Sequence, residues 1–119
     1  MKIYISGAIS GQPEAGERFF RRAAERVSIR GHVPVVPHDI GPYHPDPDVE
    51  CPPSYSNTGQ TGHSTACWLR GDFIEMLHCD AVLMIGEWQH SVGAQREHSI
   101  ACWTGMPIYY RVDSIPEDR

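Results

Sequence analysis

The chain has 119 residues, a net charge of −5, 40% apolar residues and 21% charged residues. This composition is typical of one globular domain, and a chain of this length buries roughly two thirds of its unfolded surface. The acidic balance disfavours a nucleic-acid polymer as partner, because such partners require a basic surface. It permits a small phosphorylated ligand, for which one arginine and a few backbone N–H groups suffice.

Membrane insertion and export are also disfavoured by the sequence. No apolar run approaches the roughly 18 residues of a membrane span. The first residues predict a strand rather than a signal peptide, because the apolar run is short and Gly7 interrupts it. The four cysteines contain no CxxC pair, which favours reduced thiols and a cytoplasmic location.

The amino-terminal part predicts a strand, a loop and a helix. Lys2–Ser6 reads as a buried strand, and the glycine-containing stretch Gly7–Pro13 follows it. Such a loop lets backbone approach a ligand, above all a phosphate, although a plain turn is an equal alternative. From about Glu14 to Ile29 the apolar spacing predicts a helix, which Gly31 ends.

A second strand and a long irregular segment come next. His32–Val36 predicts a short strand, and Pro34 places it at the sheet edge because proline cannot donate to a sheet ladder. Residues 38–64 are rich in proline, glycine, histidine and aspartate and show no periodicity. Long irregular segments in compact domains are typically functional, so this one is interpreted as an active-site lid or a subunit-contact loop.

Regular structure resumes with a helix, a strand and a second helix. The first helix begins at Ser64 or Thr65 and reaches about His78, and Asp72 borders its apolar stripe. The expected members of that stripe are Ala66, Leu69, Phe73, Met76 and Leu77. Ala81–Ile85 predicts a buried third strand.

Ser91 is the expected N-cap of the last helix, and Gly105 its C-cap. Helical spacing predicts that its sheet-facing residues are Gly93, Glu97, Ile100, Ala101 and Thr104. Glu97 therefore lies where an apolar residue is expected, and carboxylates are rarely buried unless paired or functional. A structural salt bridge to Arg96 or Arg70 is an equal alternative.

Pro107–Tyr110 predicts a fourth strand, and residues 112–119 a polar tail. Alternating strands and helices with short joins indicate a parallel sheet with helices on both faces. In such sheets ligands bind beyond the carboxyl ends of the strands. We expect three stretches at the carboxyl ends of the strands, namely residues 4–10, residues 87–97 and the long loop.

The available carboxylates suit glycosidic chemistry, in which one attacks the anomeric carbon and the other handles a proton. Glu97 and Asp72 are the candidates. A solvated Asp72 paired with Arg70 is the plain alternative, and Asp80 is expected to hydrogen-bond the connection before its strand.

Three stretches together resemble the nucleoside 2-deoxyribosyltransferase superfamily, especially its small branch of uncharacterised domains and the nucleoside 5′-monophosphate N-glycosidases. They are Tyr4–Gly11, Trp68–Ala81 and Gly86–Glu97. The resemblance implies an α/β, flavodoxin/Rossmann-like three-layer sandwich of residues 1–119, with a four- to five-stranded, mainly parallel sheet and a long irregular loop at about 38–64.

The resemblance also implies site residues. Glu97 matches the nucleophile that forms a covalent glycosyl intermediate at C1′. Asp72 matches the acid that assists the departing base, and Tyr4 matches the tyrosine that orients the nucleophile. Ser91 matches the serine that holds a 5′-phosphate, a role that suits a helix N-terminus.

The remaining expected substrate contacts are Gly7, Ala8, Ser10, Gly93 and Trp88. Many phosphate-preferring relatives carry an arginine in the first loop, where this chain has Ser10. Trp88 or Trp68 is expected to stack on the base or to pack in the core.

The resulting hypothesis is hydrolysis of a (deoxy)nucleoside 5′-monophosphate, without a cofactor, in a homodimer or larger homo-oligomer. Base exchange by a nucleoside 2-deoxyribosyltransferase and a non-catalytic nucleotide sensor are the alternatives. A weaker hypothesis is a zinc site at Cys51, His63 and Cys67, with His38, His44 or His78 as the fourth ligand.

Overall fold

The structure, a computed structural model, describes residues 1–8, 13–43 and 65–118, with backbone alone for 13–15 and 65. The strands and helices alternate along the chain as expected. They are β1 (Lys2–Ser6), α1 (Pro13–Ile29), β2 (Val33–Val35), α2 (Thr65–Leu77), β3 (Ala81–Met84), α3 (Val92–Thr104) and β4 (Ile108–Tyr109). Single 3₁₀ turns lie at Pro37–Asp39, Trp88–His90 and Val112–Ser114.

The four strands form one parallel sheet in the order β2-β1-β3-β4. This confirms the prediction of a parallel α/β sheet and the edge position of β2, the strand that contains Pro34. In the central pair, Tyr4 lies opposite Val82 and Ser6 opposite Met84. The strand order changes direction at β1, so the crevice beyond the carboxyl ends of β1 and β3 is the expected ligand site.

The two faces of the sheet carry different helices, which confirms the three-layer prediction. Phe20 and Val27 of α1 are buried with β1 residues Ile3 and Ile5. The intervening Tyr4 packs with residues of α2 and α3, namely Met76, Ala94 and Ala101. Because side chains alternate along a strand, α1 covers one face while α2 and α3 cover the other.

The helix faces differ in detail from the predicted ones. In α3 the buried positions are Ala94, Glu97 and Ala101, an i, i+3, i+7 set, whereas Thr104 is exposed. The Thr104 hydroxyl donates instead to the Ile100 carbonyl, at 2.8 Å. In α2, Leu77 is 50% exposed, and the buried positions are Cys67, Gly71 and Met76.

The carboxyl-terminal segment is not the polar tail that was predicted. Val112 and Ile115 are buried against the α1 face of the sheet. The Arg30 guanidinium donates two hydrogen bonds to the Ile115 carbonyl, at 2.9 and 2.6 Å. Val112 begins a 3₁₀ turn and Ile115 directly follows it, so both apolar side chains can point to the core. The segment therefore covers the core beside α1.

Only the beginning of the long irregular segment is described. His38 packs on Phe20 of α1, whereas Gly41 lies against Gly71 of α2 and the Tyr43 amide donates to the Cys67 carbonyl of α2 at 3.0 Å. Positions 44–64 are outside the described residues, and with them the lid or contact-loop hypothesis and the zinc candidates Cys51 and His63. None of the helices in the described ranges is long and apolar enough to cross a membrane.

Candidate active site

Glu97 is the centre of the candidate site. It lies on the sheet-facing side of α3 and is only 5% exposed. The Tyr4 hydroxyl donates to Oε2 of this carboxylate, and the Ser6 hydroxyl donates to Oε1 at 2.8 Å. Tyr4 and Ser6 are two residues apart on β1 and therefore point to the same face of the sheet. The carboxylate is thus held at both oxygens by one strand.

The salt-bridge alternative for Glu97 is wrong. In the described part of the chain, the ion pairs involve other carboxylates, and both Arg96 and Arg70 are exposed. Two neutral hydroxyl donors favour the charged form of a buried carboxylate, although no cation among the described residues lies beside it. This arrangement is more typical of a functional carboxylate than of a structural ion pair.

Asp72 interacts electrostatically with Glu97 from the neighbouring helix α2. Burial, together with the Glu97 charge, raises the pKa of Asp72 from its ordinary value of 3.8 to about 7. No basic side chain of the described residues lies within ion-pair distance of Asp72, so the expected alternative pairing with Arg70 is absent there. Asp72 can therefore hold a proton near neutral pH.

The other two titratable groups of the site are also shifted by burial. Burial and the charges of Glu97 and Asp72 raise the pKa of Tyr4, so its hydroxyl remains a donor. Burial raises the pKa of Glu97 as well, and the hydrogen bonds from Tyr4 and Ser6 act in the opposite direction. The two hydroxyls therefore help to keep Glu97 ionised next to Asp72.

Ser91 caps α3, as predicted. Its Oγ accepts a hydrogen bond from the Ala94 amide at 3.2 Å, and its carbonyl accepts from the Gln95 amide. The amides of Val92 and Gly93 have no backbone carbonyl partner among the described residues. Among the described residues, a β-carbon on Gly93 would meet only the Ser91 hydroxyl, at 3.9 Å. This helix end can bind an anion.

The first loop is described only at its beginning. Gly7 is buried, and a β-carbon there would lie 2.9 Å from Ile85 and 3.3 Å from Phe20. Close packing against the α1 face is thus sufficient reason for a glycine at this position. Ala8 is exposed at the carboxyl end of β1, and Ser10 lies outside the described residues.

Trp88 packs against two other aromatic side chains of the protein. Its ring stacks on the His98 imidazole with centroids 4.5 Å apart, and Tyr110 lies beside both rings. The His98 Nε2 atom and the Tyr110 hydroxyl are 2.8 Å apart. His98 therefore covers one face of the Trp88 ring, and that face is not free to stack on a base.

Sequence reasoning missed one residue of this site. Ser6 was predicted only as the last residue of the first strand, yet its hydroxyl binds the Glu97 carboxylate. The available signal was its period-two spacing from Tyr4. Asp80, by contrast, has a structural contact, although its partner is not the connection before β3: its carboxylate accepts from the amide of Lys2, the first residue of β1, at 2.8 Å.

The chain was compared with known families and structures. The family profile described as a domain of unknown function, DUF4406, matches residues 1–110. Among solved structures, a 2-deoxyribosyltransferase from the psychrotolerant bacterium Bacillus psychrosaccharolyticus is similar, with a TM-score of 0.57 and 15% identity over 91% of this chain and 69% of that chain. No curated protein matches. The structural similarity confirms the fold that the sequence resemblance implied.

Proposed function

The chain belongs to the DUF4406 family, and from that premise we propose that it cleaves the N-glycosidic bond of a (deoxy)nucleoside 5′-monophosphate. The observation that supports this proposal is the buried Glu97 carboxylate, bound by Tyr4 and Ser6, with the proton-holding Asp72 nearby. The fold shared with a 2-deoxyribosyltransferase agrees with it. The reaction is a hydrolysis, and the free base is one product.

The first step of the proposed reaction forms a glycosyl-enzyme. A Glu97 oxygen attacks C1′ of the sugar, the C1′–N bond breaks, and its electron pair goes to the base. The Asp72 carboxyl group donates its proton to the departing base, which leaves neutral. Tyr4 keeps its proton throughout and holds the attacking carboxylate in place.

The second step returns the enzyme to its starting state. A water molecule attacks C1′, the bond between C1′ and the Glu97 oxygen breaks, and its electrons return to the carboxylate. Asp72, now ionised, takes a proton from that water. The net reaction consumes one water and yields the base and a sugar 5-phosphate.

The 5′-phosphate is proposed to bind at the N-terminus of α3. This end offers Ser91, Gly93 and the first-turn amides that have no backbone partner among the described residues. A phosphate there interacts favourably with the helix dipole. Ala8 and Ser10, which follow β1 in the sequence, are proposed to complete the pocket, and the half-buried Trp88 to border the sugar or base.

The experiment is a panel of ribo- and deoxyribonucleoside 5′-monophosphates, with the free base quantified by chromatography. We expect base release by the wild type and a loss of at least about 10³-fold in Glu97→Gln, which keeps the shape but removes the nucleophile. Ser99→Ala, an exposed hydroxyl on the same helix, is the matched control. Absence of base release from every nucleotide, with and without an acceptor base, would contradict the proposal.

The transferase alternative shares the first step. The structural similarity to a 2-deoxyribosyltransferase is the reason to test base transfer as well as hydrolysis. Addition of a second base separates the two: hydrolysis yields sugar phosphate, whereas transfer yields a new nucleotide. A sensor would bind nucleotides and release no base even as the wild type. We further propose a cytoplasmic homodimer or larger homo-oligomer; the thiols of Cys79 and Cys102, which form no disulfide within the described residues, agree with a reducing compartment.

A further inference from the structure

A cavity of about 260 Å³ lies between α1 and the carboxyl ends of β3 and β4. Leu83 is paired in register with Ile5, which packs against α1, so the cavity lies on the sheet face opposite Glu97. Its apolar lining residues are Ala23, Leu83, Met84, Ile85 and Val112. We call it the arginine cavity, because Arg22, Arg26 and Arg111 also line it.

The charges of the arginine cavity are largely uncompensated. In the described part of the chain, no carboxylate lies within ion-pair distance of Arg22 or Arg111. Arg26 has one, Asp113 at 3.4 Å, and both side chains of that pair are mostly exposed. Three guanidinium groups thus face a single carboxylate, in a protein whose net charge is −5.

The arginines of α1 also lie close to one another along the helix. Arg18, Arg22 and Arg26 recur every four residues along α1, and like charges at this spacing destabilise a helix. An anion bound between Arg22, Arg26 and Arg111 would offset that repulsion. Guanidinium groups match phosphate oxygens in a two-pronged geometry, so phosphate is the anion that this chemistry favours.

One aromatic ring borders the cavity on the α1 side. Phe19 lines it and is 48% exposed, whereas the ring of Tyr110, another lining residue, lies beside Trp88 and His98. An exposed ring beside cationic groups provides an apolar surface for a flat group attached to the phosphate. We propose that the arginine cavity is a second ligand site, separate from the Glu97 site, for a small phosphorylated molecule with an aromatic group.

The turn that leaves β3 provides a reporter for this site. A β-carbon on Gly86 would lie 3.1 Å from the Phe19 ring, so this ring packs over the turn. The amides of Gly86 and Val112, which both line the arginine cavity, therefore report on it in an NMR titration. The amide of Gly93, at the start of α3, reports on the Glu97 site on the other face.

The probes are phenyl phosphate, which has no glycosidic bond and cannot be a substrate of the proposed reaction, and inorganic phosphate. At low salt we expect saturable shifts of the Gly86 and Val112 amides with phenyl phosphate, and weaker binding of inorganic phosphate. Arg22→Gln and Arg111→Gln should each raise the Kd about ten-fold. Arg18→Gln, one helical turn away from the cavity lining, is the matched control and should change it little.

Two further variants separate this site from the catalytic one. Ser91→Ala should leave phenyl phosphate binding at the arginine cavity unchanged, and Asp113→Asn should strengthen it a few-fold by removing the one carboxylate. The proposal is overturned by a lack of saturable shifts, by shifts centred on Gly93 that Ser91→Ala abolishes, or by equal weakening in Arg18→Gln and Arg22→Gln. Base release by the wild type does not enter this test, so the two proposals fail independently.

Discussion

Each oxygen of the Glu97 carboxylate accepts one hydrogen bond, from Tyr4 or from Ser6. A carboxylate oxygen has two lone-pair positions, so either oxygen can attack a sugar carbon while it keeps its donor. The two hydroxyls therefore fix the plane of the carboxylate without blocking it. Their position on β1, rather than on a loop, makes that geometry rigid.

Removal of the Ser6 hydroxyl tests this role directly. We expect Ser6→Ala to lower kcat/KM about ten-fold or more, since a hydrogen bond to a charged group is lost. The acidic limb of the pH profile should move to higher pH, because the Ser6 bond lowers the pKa of Glu97. The measurement is kcat/KM against pH, with Ser99→Ala as control. An unchanged profile would show that Ser6 does not position the nucleophile.

Asp72 should make the activity fall above neutral pH. The proposed acid is active when protonated, and its pKa is about 7. The wild-type rate should therefore decline as pH rises through about 7, and this limb should be absent from the residual activity of Asp72→Asn. Base release measured between pH 5 and 9 tests the prediction. An alkaline limb that persists in Asp72→Asn would assign the titration to another group.

The same carboxyl group should also affect stability. Its pKa is raised in the folded state, so between about pH 4 and 7 the folded chain binds more protons than the unfolded chain, and stability falls as pH rises. Asp72→Asn lacks this loss. Its free energy of unfolding minus that of the wild type should therefore rise by at most about 4 kcal/mol from pH 4 to pH 8. Urea unfolding at both pH values measures it, with exposed Asp118→Asn as control. An equal effect of Asp72→Asn at both pH values would contradict the raised pKa.

At the scale of elements, two helical glycines have opposite surroundings. A β-carbon on Gly71 of α2 would overlap the Gly41 carbonyl oxygen, whereas one on Gly93 of α3 would meet nothing closer than 3.9 Å in the part of the chain that the structure describes. Gly71 thus lets the segment after β2 lie directly on α2. That contact places the start of the irregular segment beside the helix that carries Asp72.

The two glycines provide a matched pair of variants. We expect Gly71→Ala to destabilise the fold by about 1–3 kcal/mol through overpacking against backbone. Gly93→Ala should be neutral or stabilise by up to about 1 kcal/mol, because alanine favours the helix. Thermal unfolding of both variants measures the difference. Equal melting temperatures would contradict the close approach of Gly41 to α2.

The sequence predicted the helices and strands well and their faces less well. Apolar runs and caps determine where an element begins and ends, and Ser91 and Gly105 cap α3 as expected. Which side of α3 is buried depends on how the helix lies on the sheet, which is a tertiary property. For this reason Ala94 rather than Thr104 is buried, whereas Glu97, at the centre of the face, was predicted correctly.

At the scale of the whole molecule, the segment after β4 belongs to the core. Ile115 is fully buried with Ile3 and Val27, and Arg30 holds its carbonyl. A sequence pattern with only two apolar residues among polar ones did not indicate this. Nor did it indicate that Arg22 and Arg111 line one cavity, since their proximity depends on α1 crossing the ends of β3 and β4.

Truncation of one side chain tests that segment. We expect Ile115→Ala to lower the free energy of unfolding by about 2–4 kcal/mol, the usual effect of a cavity in a core. Ile29→Ala, at a position 77% exposed, is the matched control and should change it by less than about 1 kcal/mol. Urea denaturation measures both. Similar small effects in the two variants would contradict packing of the segment on the sheet.

In the proposed reaction, the Glu97 carboxylate forms a covalent bond to a sugar carbon. A nucleoside 5′-monophosphate with fluorine at C2′ slows both steps and allows the glycosyl-enzyme to accumulate. The measurement is the mass of the intact protein, followed by peptide mapping, after incubation with this compound. We expect an added sugar phosphate on the peptide that contains Glu97, and none in Glu97→Gln. Base release by the wild type without any adduct, or an adduct on another residue, would contradict it.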